Sequence, residues 1–272
     1  RTEADGGTAE MTRGRFGKLF SDTVILALGT FGSKLLVFLL MPLYTALLSP
    51  SQYGTAVLIT GTANLIMPFA CIGITSGIFR FAAEKGTDRE GVFSSGIVLL
   101  GAGLGATVLL GAVAYAIGGS WRNEILLVVL YVLFADIQAV CAQYVRAIDR
   151  TRLFAIQGIL NTLLTVACNI LFLVVFDLGV RGYVLATVVG NIGTAVFLIA
   201  AAGLWRVFRW EKVTRSAMRE LFRFSLPMVP TTICWLITDL SDRYLVTYFC
   251  GDAVNGVYSA AYKIPTIVNL VS

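Results

Sequence analysis

LGTFGSKLLVFLLMPLYTALLSPSQYGTAVLITGTANLIMPFACIGITSGIFRFAAEK, residues 28–85, holds two long apolar runs parted by a short polar turn at Ser49–Gln52. A helix needs about 20 apolar residues to cross a hydrocarbon core of about 30 Å, and each run meets that length. The same pattern continues in both directions. Eight runs result, Thr23–Leu48, Tyr53–Phe79, Val92–Ile117, Ile125–Val145, Leu153–Phe176, Gly182–Trp205, Leu226–Phe249 and Val254–Ser272. The predicted fold class is all-α, a polytopic membrane protein.

Composition agrees with that reading. Of the 272 residues 57% are hydrophobic and 14% charged, against about 25% charged in a soluble domain, and the mean hydropathy is +0.81. Histidine is absent, which removes Ser/His and Cys/His catalysis, histidine metal sites and histidine proton relays together. The five cysteines lie in or beside apolar runs without C-x-x-C spacing, and read as small hydrophobes rather than metal ligands or a redox pair. No G-x-x-x-x-G-K-[ST] stretch occurs, so ATP hydrolysis by a phosphate loop is not expected. Neither a cofactor nor a metal is called for, and no catalytic set is evident.

The net charge of +5 takes its meaning from where the cations fall. Sixteen of the 21 Lys and Arg lie on one side of the alternating runs, in the N-terminal tail and after the second, fourth and sixth runs; only Arg122 and Arg181 lie on the other. That asymmetry places the N-terminus in the cytoplasm and speaks against nucleic acid as the partner. The first run is too long for a signal peptide and is read as an anchor. Residues 1–10 read as an appended or disordered tail ahead of Met11. The last run is still apolar at Ser272, so the chain is expected to stop within a helix of a longer protein.

Between the sixth and seventh runs, RVFRWEKVTRSAMRELFR (residues 206–223) sets apolar residues among six cations. This pattern suits an amphipathic helix on the anionic inner leaflet, or else a solvated linker. The expected organisation is a cytoplasmic tail over 1–20, a six-helix lobe over 21–205, this linker over 206–223, and the first two helices of a second, incomplete lobe over 224–272. An internal likeness supports two lobes. LLSPSQYG (47–54) and YFCGDAVNG (248–256) each join two apolar helices, and aligning Gly54 with Gly256 gives a spacing of 202 residues, 256 minus 54. Transporters built from repeats place their substrate between them near the midplane.

With residues 28–85, the segment SDRYLVTYFCGDAVNGVYSAAYKIP (241–265) resembles the polysaccharide biosynthesis membrane proteins. These are the Wzx-type oligosaccharide flippases of the multidrug/oligosaccharidyl-lipid/polysaccharide exporter superfamily. The resemblance covers nearly all of Lys18–Ser272. It implies a bacterial cytoplasmic membrane protein that flips undecaprenyl-diphosphate-linked oligosaccharide for surface polysaccharides such as O-antigen and lipopolysaccharide, by alternating access. The implied partners are that lipid-linked oligosaccharide, membrane lipids and polysaccharide polymerase or export proteins. Multidrug or cation antiport and lipid II flipping are the alternatives within the superfamily. A membrane glycosyltransferase or polymerase is a more distant one, disfavoured by outer loops as short as Ser49–Gln52 and Cys250–Ala253.

Charges deep in a span cost about 2.5–3.5 kcal/mol on the insertion scale and call for a wet cavity, a partner or a function. Lys34 lies 12 residues beyond Asp22, roughly 18 Å along a helix and near mid-depth. Lys34, Arg243 and Lys263 are candidate substrate-binding cations for a lipid diphosphate or acidic sugar, although Asp239 and Arg243 also stand at i, i+4, the favourable order for an intrahelical pair. Asp136 and Asp239 are the ion-coupling candidates. Asp136 has no basic residue within four positions, and serves either as a proton carrier or as a brace to Lys34. Gln157, Asn161, Thr165 and Asn169 recur at steps of four on the fifth run, and Thr187, Asn191 and Thr194 share a face of the sixth. Such stripes either join helices or line a path for sugar hydroxyls, and on the second reading Asn161 and Asn169 bind substrate. The small-residue stretches Gly101–Ala106 and Gly111–Ala112 read as close-packing surfaces. Pro42, Pro68 and Pro265 are candidate kinks.

Overall fold

A computed structural model describes residues 40–84 and 86–262. Those residues are all-α, and the protein is a polytopic membrane protein. The chain runs through α1 (Met41–Leu47), α2 (Pro50–Ala70), α3 (Ile74–Ala83), α4 (Arg89–Ile117), α5 (Arg122–Ala147) and α6 (Thr151–Ile170). It continues as α7 (Gly179–Ala202), α8 (Leu204–Val207), α9 (Arg215–Ser225), α10 (Met228–Cys250) and α11 (Asp252–Tyr262). Six helical stretches are long and apolar enough to cross a membrane: α2, α4, α5, α6 with its extension to Val175, α7, and Arg215–Thr238, which takes in α9 and half of α10. The first and eighth expected runs, Thr23–Leu48 and Val254–Ser272, lie largely outside the described residues.

The turn at Ser49 is built by local chemistry. Ser49 is extended, its hydroxyl accepts from the Gln52 amide at 3.2 Å, and its own amide donates to Gln52 Oε1 at 3.0 Å. This capping box satisfies two orphan donors, and Pro50 supplies the first helical position, where its missing N–H costs nothing. The second expected run is not one helix. Pro68 lies near the end of α2, and the chain breaks at Cys71–Gly73 through two left-handed residues, Ile72 (φ 52°) and Gly73 (φ 65°), before α3 begins. A β-branched residue at positive φ is rare and strained. At the far end of α6 the helix loosens into a π turn over Leu171–Val175.

One buried cluster joins Ile74 and Ile78 of α3, Val132, Val140 and Val145 of α5, Leu198 of α7 and Leu221 of α9. Outward faces are apolar too: Leu110 is 71% and Trp235 is 75% exposed, a surface that suits lipid rather than water. Cys71 and Cys141 are buried, whereas Cys234 and Cys250 are exposed on α10; all five are free thiols.

Within residues 206–223 the chain forms the end of α8, a 3-10 turn at Trp210–Lys212 and most of α9. Thr214 caps α9 by accepting from the Ala217 amide at 3.3 Å. The helix docks on α3 and α4, with Leu221 buried and Phe224 edge-on to Phe81 at 5.7 Å. The strap before it is tied to the start of α4. Lys212 Nζ stands 2.8 Å from Glu90 Oε2 and 3.2 Å from Asp88 Oδ1, and Ser94 Oγ accepts from the Arg209 amide at 3.0 Å. Burial opposes it, but the Gly91 amide and Lys212 hold the Asp88 carboxyl below the usual carboxylate range. The hydrogen bonds to Glu90 and Asp88 raise Lys212.

Beyond the strap, α10 and α11 return against α2. Leu240 lies over Gly61 at 3.2 Å from where a Cβ would stand, and Thr62 Oγ1 and the Tyr244 hydroxyl are 2.7 Å apart.

Candidate functional site: a polar cavity among five helices

A cavity of about 500 Å³ lies among α1, α2, α5, α6 and α7. Helical periodicity supplies its walls, because residues four apart share a face. Asn161 and Thr165 come from α6, Thr187 and Asn191 from α7, Thr60 and Asn64 from α2. Tyr131 and Gln138 of α5 complete the polar lining, with Tyr44 and Tyr183 at one end. Among the described residues, none that lines it carries a formal charge at neutral pH.

Its polar groups are bonded in two separate sets. Asn161 Nδ2 donates to Asn191 Oδ1 at 3.2 Å, Thr165 Oγ1 donates to Asn161 Oδ1 at 3.4 Å, and Gln138 Nε2 donates to Gln157 Oε1 at 2.7 Å. Gly190 makes the α6–α7 approach possible, since a Cβ there would meet Thr165 Oγ1 and Asn161. Amides and hydroxyls both donate and accept, so this lining can exchange its internal bonds for those of a ligand rich in hydroxyls. At the other end the Tyr44 and Tyr183 rings meet edge-on at 4.9 Å, and Tyr53 stacks on Tyr44 at 6.2 Å.

The residues singled out in the sequence scatter around this cavity. Asn161 lines it. Asn169, one turn beyond Thr165, turns away: it is 1% exposed, its Nδ2 donates to the Thr165 carbonyl at 2.8 Å, and its Oδ1 accepts nothing. Arg243 is half-buried on α10, 5.6 Å from the Tyr262 ring centroid, and is not among the residues that line the cavity. Asp136 is 1% exposed, with the Cys71 thiol beside it and Oδ2 without a hydrogen-bond partner; it sits against the α2–α3 break and not in the cavity. Asp239 belongs to α10, but its side chain lies outside the described residues, as do Lys34 and Lys263. Sequence reasoning missed Thr60, Asn64, Tyr131 and Tyr183. The Thr60–Asn64 step of four in an apolar helix was the available signal; nothing local marks the tyrosines.

The sequence model described as "Polysaccharide biosynthesis protein" matches residues 19–271. No curated protein matches the chain. Among solved structures, the MATE multidrug transporter DinF-BH in complex with R6G superposes with a TM-score of 0.69 at 14% identity, over 93% of this chain and 61% of that one. A MATE protein in complex with MaD3S gives 0.64 at 16% identity, over 91% and 60%. A MOP superfamily transporter from Pyrococcus furiosus, described as having a binding pocket of reversed polarity, gives 0.63 at 16%, over 92% and 60%. At such identities the likeness is one of fold, and the chain spans about three-fifths of the length of these structures.

Proposed function

The chain belongs to the polysaccharide biosynthesis protein family, and on that premise we propose that it carries lipid-linked oligosaccharide across the cytoplasmic membrane. The observation that carries this reading is the chemistry of the cavity: amides, hydroxyls and phenols meet around about 500 Å³ with no formal charge among the described lining residues. A sugar offers hydroxyls that donate and accept in every direction, and Asn161, Asn191 and Gln138 answer both roles. Tyrosine rings at one end present flat faces beside a polar handle. A lipophilic cation, the natural cargo of a drug exporter, finds no counter-charge among the described lining residues.

The diphosphate of an undecaprenyl carrier requires cations, and the described lining of the cavity supplies none. Arg243, on α10 beside the Tyr262 ring, is proposed to supply one, since a guanidinium is suited to a bidentate grip on phosphate. Lys34 and Lys263 are proposed to serve the same group. In alternating access the lobes rock about the site while the lipid chain stays in the bilayer; Asp136 and Asp239 remain the proposed groups for ion coupling. Polymerase or export proteins would take up the delivered cargo.

The test is movement of radiolabelled undecaprenyl-diphosphate oligosaccharide in proteoliposomes containing the complete gene product. Wild type is expected to deliver label to the opposite leaflet and Asn161→Ala, folded to the same melting temperature, to lose at least tenfold in rate. No movement by well-folded wild type overturns the reading. Movement unaffected by the substitution removes the cavity from it.

A further inference from the structure

A second, larger hollow of about 850 Å³ opens between α2, α4 and α5, away from the polar cavity. We propose that it is a phospholipid site, holding the hydrocarbon chains of a membrane lipid with a primary-ammonium headgroup seated at Glu124 and Asp252.

Its walls come from three helices long and apolar enough to cross the membrane, so hydrocarbon is the medium beside it. Leu58, Ile66 and Phe69 of α2 face Ile125, Val129 and Val132 of α5. The α4 wall is scooped out by small side chains, Ala102, Ala106 and Ala114. The helices touch where glycine permits it: a Cβ on Gly103 would strike the Ala70 carbonyl, and one on Gly111 would strike Val129. Gly101 and Gly105 meet nothing within 4 Å, so the expected close-packing surface is only partly used for packing. From Thr55 to Ala70 the groove follows 15 residues of α2, roughly 22 Å. That exceeds one leaflet's share, about half of a core of about 30 Å.

Charge is confined to one end, where α2, α5 and α11 begin. Glu124 and Asp252 both line the groove there, Glu124 Oε2 is buried and accepts no hydrogen bond, and neither carboxylate has an ion-pair partner among the described residues. A buried acceptor left unmet costs about 1–3 kcal/mol. Arg122 stands at the same end, 5.6 Å from the Tyr115 ring centroid, beside the exposed Trp121, in the manner of interfacial anchors. Two carboxylates and one guanidinium beside an apolar trough complement a zwitterionic lipid whose ammonium donates hydrogen bonds and whose phosphate takes the arginine.

Native mass spectrometry of the full chain, released from vesicles of equal parts phosphatidylethanolamine and phosphatidylglycerol, tests this site apart from transport. Wild type is expected to retain phosphatidylethanolamine about tenfold more than phosphatidylglycerol. Ala106→Phe fills the groove from an exposed position and is expected to abolish the bound lipid, whereas Ala112→Phe, off the groove wall, leaves it in place. Glu124→Gln with Asp252→Asn is expected to equalise the two lipids without emptying the groove. Equal retention by wild type, or retention by Ala106→Phe, overturns the proposal. Displacement of phosphatidylethanolamine by equimolar tetraphenylphosphonium also overturns it, in favour of a lipophilic-cation site.

Discussion

Gly54 and Gly256 face each other across the crossing of α2 and α11. A Cβ on Gly54 would strike the Asp252 carbonyl and come within 3.1 Å of the Gly256 amide, and one on Gly256 would strike the Pro50 carbonyl and come within 3.2 Å of the Gly54 amide. The same two glycines coincide in the expected alignment of residues 47–54 with 248–256. The contact exists because neither residue has a side chain.

Gly54→Ala is therefore expected to force α2 and α11 apart at this crossing. Overpacking of this kind costs about 1–3 kcal/mol, to be read as a lower melting temperature in detergent. A disulfide engineered between Thr55→Cys and Val257→Cys should also form less readily in the Gly54→Ala background. A melt and a cross-linking yield equal to those of the parent would show that the crossing yields easily.

Asn161→Asp places a carboxylate in a lining that has none among the described residues. Uptake of lipid-linked sugar is expected to fall about tenfold, while binding of a lipophilic cation such as rhodamine, followed by fluorescence polarisation, should rise. A variant that keeps sugar transport and gains no cation binding would place the substrate elsewhere.

Ser49→Ala removes one half of the capping box at the start of α2. A loss of about 1 kcal/mol is expected, and Ser49→Asp, which keeps the acceptor, should recover most of it in the same thermal melt.

The strap should loosen in acid. Asp88 is held below its ordinary range in the folded protein, so its contribution is present above the unfolded carboxylate range and is lost as pH falls through the lowered folded value. Lys212 is raised, so its contribution is present at neutral pH and is lost only in strong alkali. Spin labels on Arg89→Cys and Glu211→Cys should report a broader distance distribution at pH 3 than at pH 7, and Lys212→Ala should show the broad distribution at both. These groups are exposed, so high salt should act in the same direction.

Much of the architecture was legible before any coordinates because it rests on local quantities. Apolar run length and the alternation of cations carry the membrane-spanning helices, and the S-P-S-Q stretch carries the cap of α2. The break inside Tyr53–Phe79 was not legible. Pro68 hinted at it, but the left-handed Ile72 is paid for by tertiary packing that no single-chain propensity encodes. Asn161 and Asn169 show the same division within one stripe. Both were visible as polar residues on one helix; α7 brings Asn191 to the first, while the second turns back on its own helix.

By itself the sequence determined that this protein is helical, lies in a membrane and belongs with the polysaccharide biosynthesis proteins, since run length, charge asymmetry and recurring glycine patterns are properties of the chain alone. Only the tertiary structure decided that Thr60, Asn64, Tyr131, Gln138, Asn161, Thr187 and Asn191 enclose one cavity, that Asp136 is excluded from it, and that an apolar groove ends in Glu124 and Asp252. The physical reason is that a cavity is made by the rotations of several helices about their axes. Those rotations are set by contacts such as Gly190 on Thr165 and Gly103 on Ala70, between residues that the sequence holds far apart.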